Sequence, residues 1–251
     1  MSFAQKVVLI TGASAGIGAS TAELFAKECA AVALVDRNGA KLKTFAQCLE
    51  KLGAQTLAIE ADVSKDEEAD VIVKKTIEKF GKLDVLVNNA GILREAGILA
   101  DNFLKTYDEV MNVNMRGVVR ITYFAAPHLI KTRGNIINIS SMAGLSTTRP
   151  LNTAYRTSKA AINHFTRSIA LELAEYGVRA NIVSPGPVRT SIFEAQHVDL
   201  EKMQNNTALR RLSEPGEIAD MILYVASEKG KSITGSNFLL DNGSLLNFKQ
   251  S

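Results

Sequence analysis

Only two cysteines, Cys29 and Cys48, occur in the chain, and no C-x-x-C pair is present. A disulfide framework or a zinc site is therefore not expected. The three histidines, His128, His164 and His197, are scattered without metal-ligand spacing, so no metal is expected. No lysine/arginine run stands out and the net charge is only +3. Neither nucleic acid nor an acidic membrane surface is implied as a partner. Apolar stretches are short and broken by charge, which excludes a transmembrane helix from the reading. The opening MSFAQKVVLITGASAG enters a strand-like run at once and lacks signal-peptide flanks, so a cytoplasmic location is the expectation. No Pro- or Ser-rich linker divides the chain, and 251 residues suit one well-buried α/β domain better than two.

What is present is alternation. The runs KVVLIT, AVALVD, TLAIEADV, LDVLVNNAG, GNIINISS, VRANIVSPG and SNFLLDNG are short and rich in Val, Leu and Ile, as strands buried on both faces are. Amphipathic stretches lie between most of them, including long helical patterns over about 103–130 and 153–176. This order predicts βαβ units, right-handed crossovers and a parallel sheet with helices on both sides. The region from Pro185 to Pro215 has no clear period and reads as a lid, at about 188–213.

The first strand runs into TGASAGIG, residues 11–18, which opens a helix. Glycines allow close backbone approach, and a helix N-terminus favours negative charge, so the turn is suited to a pyrophosphate. The spacing of Gly12, Gly16 and Gly18 differs from G-x-G-x-x-G and lacks the Gly-Lys-Ser/Thr of an ATP-binding loop. A purely structural turn is the alternative. Asp36 ends the second strand, where a carboxylate can accept hydrogen bonds from ribose hydroxyls and repel a 2′-phosphate. NAD is thereby favoured over NADP. Arg37 keeps NADP open, since arginine can stack on adenine or pair with phosphate.

Tyr155 and Lys159 are four residues apart in a helical pattern and so share a face. A nearby ammonium favours a phenolate and is expected to lower the tyrosine pKa from about 10. Such a tyrosine can act as a general acid/base. An exposed polar pair is the plain alternative.

Taken in order, TGASAGIG, Asp62-Val63, Asn88-Asn89-Ala90-Gly91, Asn114 in MNVNMRG, Ser141 in NISSMAG, Tyr155 with Lys159, and Pro185-Gly186 resemble the motifs of the short-chain dehydrogenase/reductase family. The resemblance covers essentially the whole chain. It implies a Rossmann-type, doubly wound, seven-stranded parallel sheet flanked by helices. It assigns catalysis to Asn114, Ser141, Tyr155 and Lys159: Tyr155 as acid/base, Lys159 as the residue that tunes it and holds the nicotinamide ribose, Ser141 on the substrate oxygen, and Asn114 on a relay water. Ser140 competes with Ser141, but adjacent strand residues point to opposite faces, and the family serine lies three residues before the glycine, here Gly144. Cofactor contacts are implied for Gly12, Ser14, Gly16, Ile17, Gly18, Asp36, Arg37, Asp62, Val63, Asn88, Ala90, Gly91, Pro185, Gly186, Val188 and Thr190, besides Tyr155 and Lys159. Asn88 can equally tie strands together, and the asparagine pair can equally be a turn.

The expected reaction is hydride transfer between NAD(H) and a secondary alcohol or ketone, taken as lipophilic because the lid carries Ile192, Phe193, Met203 and Leu209. These could equally be buried against the body of the protein. Arg210 and Arg211 could meet an anionic group such as a carrier phosphopantetheine. Resemblance to 3-oxoacyl-carrier reductases and to hydroxysteroid dehydrogenases is about equal, so an NADPH-dependent 3-oxoacyl reductase is one alternative. A non-catalytic nucleotide-binding regulator, and an epimerase or dehydratase, are others. Relatives imply a homotetramer or dimer formed through the two long helices and the C-terminal strand and tail.

Overall fold

In a computed structural model, residues 2–147, 151–190 and 200–246 are described. Seven strands, β1 (Val7–Thr11), β2 (Ala31–Asp36), β3 (Thr56–Glu60), β4 (Val85–Asn88), β5 (Asn135–Ile139), β6 (Arg179–Pro185) and β7 (Asn237–Leu240), form one sheet. Its order is β3-β2-β1-β4-β5-β6-β7, and every pairing is parallel. The helices are α1 (Gly16–Lys27), α2 (Gly39–Lys51), α3 (Asp66–Phe80), α4 (Phe103–Met111), α5 (Gly117–Thr132), α6 (Thr153–Leu173), α7 (Leu200–Asn205) and α8 (Pro215–Ala226).

Strand side chains divide by parity between two apolar layers. Val8 and Ile10 of β1 pack with Phe25, Leu42 and Ile222 of α1, α2 and α8. Val7 and Leu9 pack with Ile72, Ile121 and Leu129 of α3 and α5 on the other face. Each fully buried Leu or Ile contributes about 1.5–3 kcal/mol relative to exposure. This is why the strands read as unbroken apolar runs and not as alternation. Asp84, buried just before β4, accepts the Val7 amide at 2.9 Å and pairs with Lys6 and Lys82, pinning β1 to β4. Between those two strands the chain order reverses, so the connections after β1 and β4 diverge to opposite faces and leave a crevice at the strands' carboxyl ends.

Two elements differ from the sequence-based reading. The pattern over 103–130 is not one helix: α4 and α5 are joined by a π-helical segment, Asn112–Arg116, with Asn114 buried inside it. The cause is a side chain that bonds outside its own helix, as shown below. The second difference is α8. Pro215 in its first turn and the reciprocal capping box of Glu214 and Glu217 start it, and it buries Ile218 and Ile222 in the layer shared with α1. The capping residues and the apolar spacing at 218, 219, 222 and 223 are local signals of this helix in the sequence. Within the expected lid, α7 is present, whereas Ile192, Phe193 and the Met203 side chain lie outside what is described. Leu209 is 64% exposed and does not pack against the body.

Candidate active site

The glycine turn is held by the end of β4. Asn89 donates its side-chain N–H groups to the carbonyls of Thr11 and Gly12, at 2.9 and 3.1 Å. The Thr11 hydroxyl accepts the amides of Asn89 and Ala90, each at 3.0 Å. Gly12 has φ +65°, and a Cβ there would stand 2.8 Å from Asn89 Nδ2. A Cβ on Gly18 would overlap the Gly12 carbonyl oxygen, so that glycine serves the packing of α1 against the turn. Asn89 was quoted in the sequence motif but not counted as a site residue. Its clamp joins segments 77 residues apart, which no local pattern reveals.

Beside the turn, Asp36 accepts the Ser14 hydroxyl at 2.8 Å, the Ser14 amide at 3.2 Å and the Asn38 amide at 3.0 Å. A carboxylate has about four lone-pair sites, so Asp36 keeps acceptor capacity for a ligand. Ser14 therefore orients Asp36 from behind.

A cavity of about 450 Å³ opens at the carboxyl ends of the strands. It brings together most of the expected residues: Gly12, Gly16, Ile17, Asp36, Arg37, Ala90, Gly91, Ser141, Tyr155, Lys159, Pro185, Gly186, Val188 and Thr190 all line it. Ser14, Gly18, Asp62, Val63, Asn88 and Asn114 do not. Asp62 caps its own turn by accepting the Ser64 amide at 2.9 Å. Burial raises its pKa, but the Ser64 hydrogen bonds with the Arg37 and Lys65 charges outweigh this and leave it lowered. Val63 packs against Gly117 at the start of α5. Asn88 donates to Asn138 at 2.8 Å and to Thr122 at 3.2 Å, and Asn138 donates to Thr166 at 2.9 Å. That buried chain links α5, β4, β5 and α6, in keeping with the strand-tying alternative for Asn88.

Asn114 is also a clamp. Its Oδ1 accepts the Ile92 amide at 2.8 Å, and its Nδ2 donates to the Ile92 carbonyl at 2.9 Å and to the Ser158 hydroxyl at 3.1 Å. These bonds pull one turn open into the π form and fix the chain that leaves β4. They leave one Oδ1 lone pair open. Asn114 Oδ1 and Lys159 Nζ approach the same side of Gly91, at 3.3 and 3.6 Å from the point where a Cβ would be.

The two serines after β5 separate as strand geometry demands. Ser140 is buried and donates to the Lys159 carbonyl at 3.0 Å. Both serines border the cavity, but the Ser141 hydroxyl is the one that interacts with the Tyr155 phenol. Tyr155 is half-buried on the first turn of α6, and Lys159, one turn on, places Nζ 5.7 Å from its ring centroid and donates to the Ile139 carbonyl at 2.8 Å.

A family model described as enoyl-(acyl carrier protein) reductase matches residues 12–244. An uncharacterized oxidoreductase of Thermotoga maritima is 38% identical over 97% of this chain and 99% of its own. The 3-oxoacyl-[acyl-carrier-protein] reductase of the same organism is 37% identical over 95% of this chain and 97% of its own. Among solved structures, a short-chain dehydrogenase from Burkholderia cenocepacia in complex with NADP superposes with a TM-score of 0.91 at 31% identity, over 98% of this chain and all of that one. The chain belongs to the short-chain dehydrogenase/reductase family. It is thus an oxidoreductase of that family, acting on CH–OH groups.

The electrostatics of this short-chain dehydrogenase/reductase site differ from the sequence expectation. Partial burial of Tyr155 raises its pKa, with the Ser141 hydrogen bond only partly opposing this. The lowering of that pKa expected from Lys159 is not what the site shows: the shift is upward, and burial is its cause. Burial also lowers the Lys159 pKa to about 8, because the ammonium loses its hydration. A folded value below the unfolded value of about 10.5 means that the charged form opposes folding. That penalty is complete below about pH 8 and fades as pH rises toward 10.5. Urea melts of wild type and Lys159→Met across this range should show the difference in stability drifting toward wild type by up to about 3 kcal/mol. A pH-independent difference would show that Lys159 keeps an ordinary pKa.

Proposed function

We propose that the protein is an NAD-dependent oxidoreductase that interconverts a secondary alcohol and its ketone, with Tyr155 as general acid/base. The observation that carries this reading is that the glycine turn, Asp36 and the Ser141–Tyr155–Lys159 group share one cavity. The residues fit a dinucleotide. Ala15 caps α1 without a side-chain bond and no acidic residue occupies its first turn, so the amides and dipole there are open to a phosphate. Gly12, Gly16 and Ile17 would hold the phosphates, Asp36 the adenosine ribose, and Lys159 the nicotinamide ribose, with Pro185, Gly186, Val188 and Thr190 beside the nicotinamide. The nicotinamide, when bound, supplies the acceptor or donor of the hydride.

In oxidation, Tyr155 as phenolate takes the substrate's hydroxyl proton. The Lys159 ammonium stabilises that phenolate, and Ser141 holds the substrate oxygen. In reduction, Ser141 and Tyr155 polarise the carbonyl, as an oxyanion site does, and Tyr155 gives up the proton. Asn114 keeps the wall behind Lys159 in place. The presence of all four residues supports catalysis over a purely nucleotide-binding role. Asp36 supports NAD through repulsion of a 2′-phosphate, whereas Arg37 in the cavity wall favours a second reading, an NADPH-dependent 3-oxoacyl reductase. Leu104, Tyr123 and Leu171 of α4, α5 and α6 are 74%, 72% and 82% exposed, which supports self-association through these helices.

Three outcomes follow for this reading. Tyr155→Phe should lower turnover about 10²–10⁴-fold while NADH affinity, followed by fluorescence titration, is largely kept; near-normal turnover would exclude the acid/base role. Asp36→Asn should shift the NADH-over-NADPH preference in kcat/KM toward NADPH by about tenfold or more, equivalent to about 1.4 kcal/mol. An unchanged ratio would defeat the account of cofactor choice. Light scattering should give the mass of two or four chains, and a single-chain mass would remove the case for self-association.

A further inference from the structure

The cavity is not electrically symmetrical. Among the described residues that line it, the only carboxylate is Asp36, at the end of β2, where its neighbour Arg37 offsets it. Three strand spacings away, about 14 Å, β5 leads into Ser141, and the wall on that side carries Lys159 and two arginines, Arg94 and Arg156. Neither arginine stood out in the sequence, because they are 62 positions apart and belong to no shared pattern.

Tertiary contacts put them on one rim. Asn114 grips Ile92 by both its amide and its carbonyl. Two residues past Arg94, Ala96 forms a bridge with Asn152 and donates its amide to the Leu151 carbonyl at 2.9 Å. The segment bearing Arg94 is thereby tied to the foot of α6, whose first turn presents Tyr155 and Arg156. Arg94 Nη1 donates to the Leu93 carbonyl at 3.0 Å, which folds the guanidinium back toward cavity-lining Leu93 and leaves most of its five donors for another partner.

A guanidinium fork matches a carboxylate in shape and charge, and a cleft lined by one sign of charge concentrates ligands of the other. We infer that the substrate carries a carboxylate held by Arg94 and Arg156, so that the protein interconverts a short hydroxy acid and its oxo acid. The inference rests on the hydride-transfer reading and replaces the expectation of a neutral lipophilic substrate. The bond changes are those of alcohol oxidation: the hydroxyl proton passes to Tyr155, the carbon-bound hydrogen leaves with its electron pair for NAD+, and the carbon–oxygen bond becomes double. The carboxylate takes no part in them and serves to position the hydroxyl.

The test compares 3-hydroxybutyrate, its methyl ester and glycerol 3-phosphate as substrates with NAD+, using wild type, Arg94→Gln, Arg156→Gln and Arg156→Lys. Wild type should prefer the acid to the ester in kcat/KM. Each glutamine variant should reduce that preference roughly tenfold to a hundredfold, through KM more than kcat, and Arg156→Lys should keep part of it. A wild type that uses the ester as well as the acid, or a preference unchanged in both glutamine variants, would overturn the inference. So would a preference for glycerol 3-phosphate, which would assign the arginines to a phosphate. Thermal unfolding supplies a readout without turnover: the acid, and not the ester, should raise the wild-type midpoint, and the glutamine variants should lose the rise. A wild type with no acid-specific rise counts against the anion site. An acid-specific rise with no turnover of any compound supports the anion site and counts against the hydride-transfer reading.

Discussion

A parallel sheet covered by helices on both faces leaves little room for chemistry along its length. Its central strands β1, β4 and β5 are buried from end to end, and polar groups there must bond to one another, as Asn88, Asn138, Thr122 and Thr166 do. Open polar groups can gather only where strands stop and helices begin. In this protein that place is the carboxyl edge of β1, β2, β4, β5 and β6, beside the N-termini of α1 and α6. The glycine turn, Asp36, Ser141 and Tyr155 all stand at such ends. The order β3-β2-β1-β4-β5-β6-β7 then decides their spacing. It sets Asp36 and Arg37 at one end of the crevice and Lys159, Arg94 and Arg156 toward the other.

Burial shifts Tyr155 and Lys159 more strongly than neighbouring charge does. Tyr155 is pushed toward the phenol and Lys159 toward the amine by the same cause, loss of water around an ion. The lysine is kept in place by the Ile139 carbonyl, and no carboxylate among the described residues pairs with it. An unpaired buried cation is a liability for folding and a resource for a site that must favour an anion beside it. The positive rim formed by Arg94, Arg156 and Lys159 follows the same logic at larger scale.

The framework was legible because its signals are local. Period and composition identify strands buried on both faces, and all seven apolar runs became strands. Tyr155 and Lys159 share a face through helix periodicity alone, and the choice of Ser141 over Ser140 agrees with strand alternation. What was missed depends on contacts far apart in sequence. Asn114 reads as one residue of a long helix until its amide is seen on Ile92, which breaks that helix with a π turn. Asn89 reads as part of a turn until it is seen holding Thr11 and Gly12. The resemblance alone does not reveal that Asp62 caps its own turn and that Val63 packs on Gly117. The helix α8 is the exception: its capping box and apolar spacing are local and legible in the sequence.

The sequence by itself determined the fold class and the order of the strands, and it put Tyr155 and Lys159 on one helix face, because periodicity and strand burial act within a few residues. Only the tertiary structure decided which side chains face the cavity, which ones stand behind them as clamps, and how burial moves the two key pKa values. Those outcomes depend on desolvation and on hydrogen bonds between segments that meet only when the sheet is assembled.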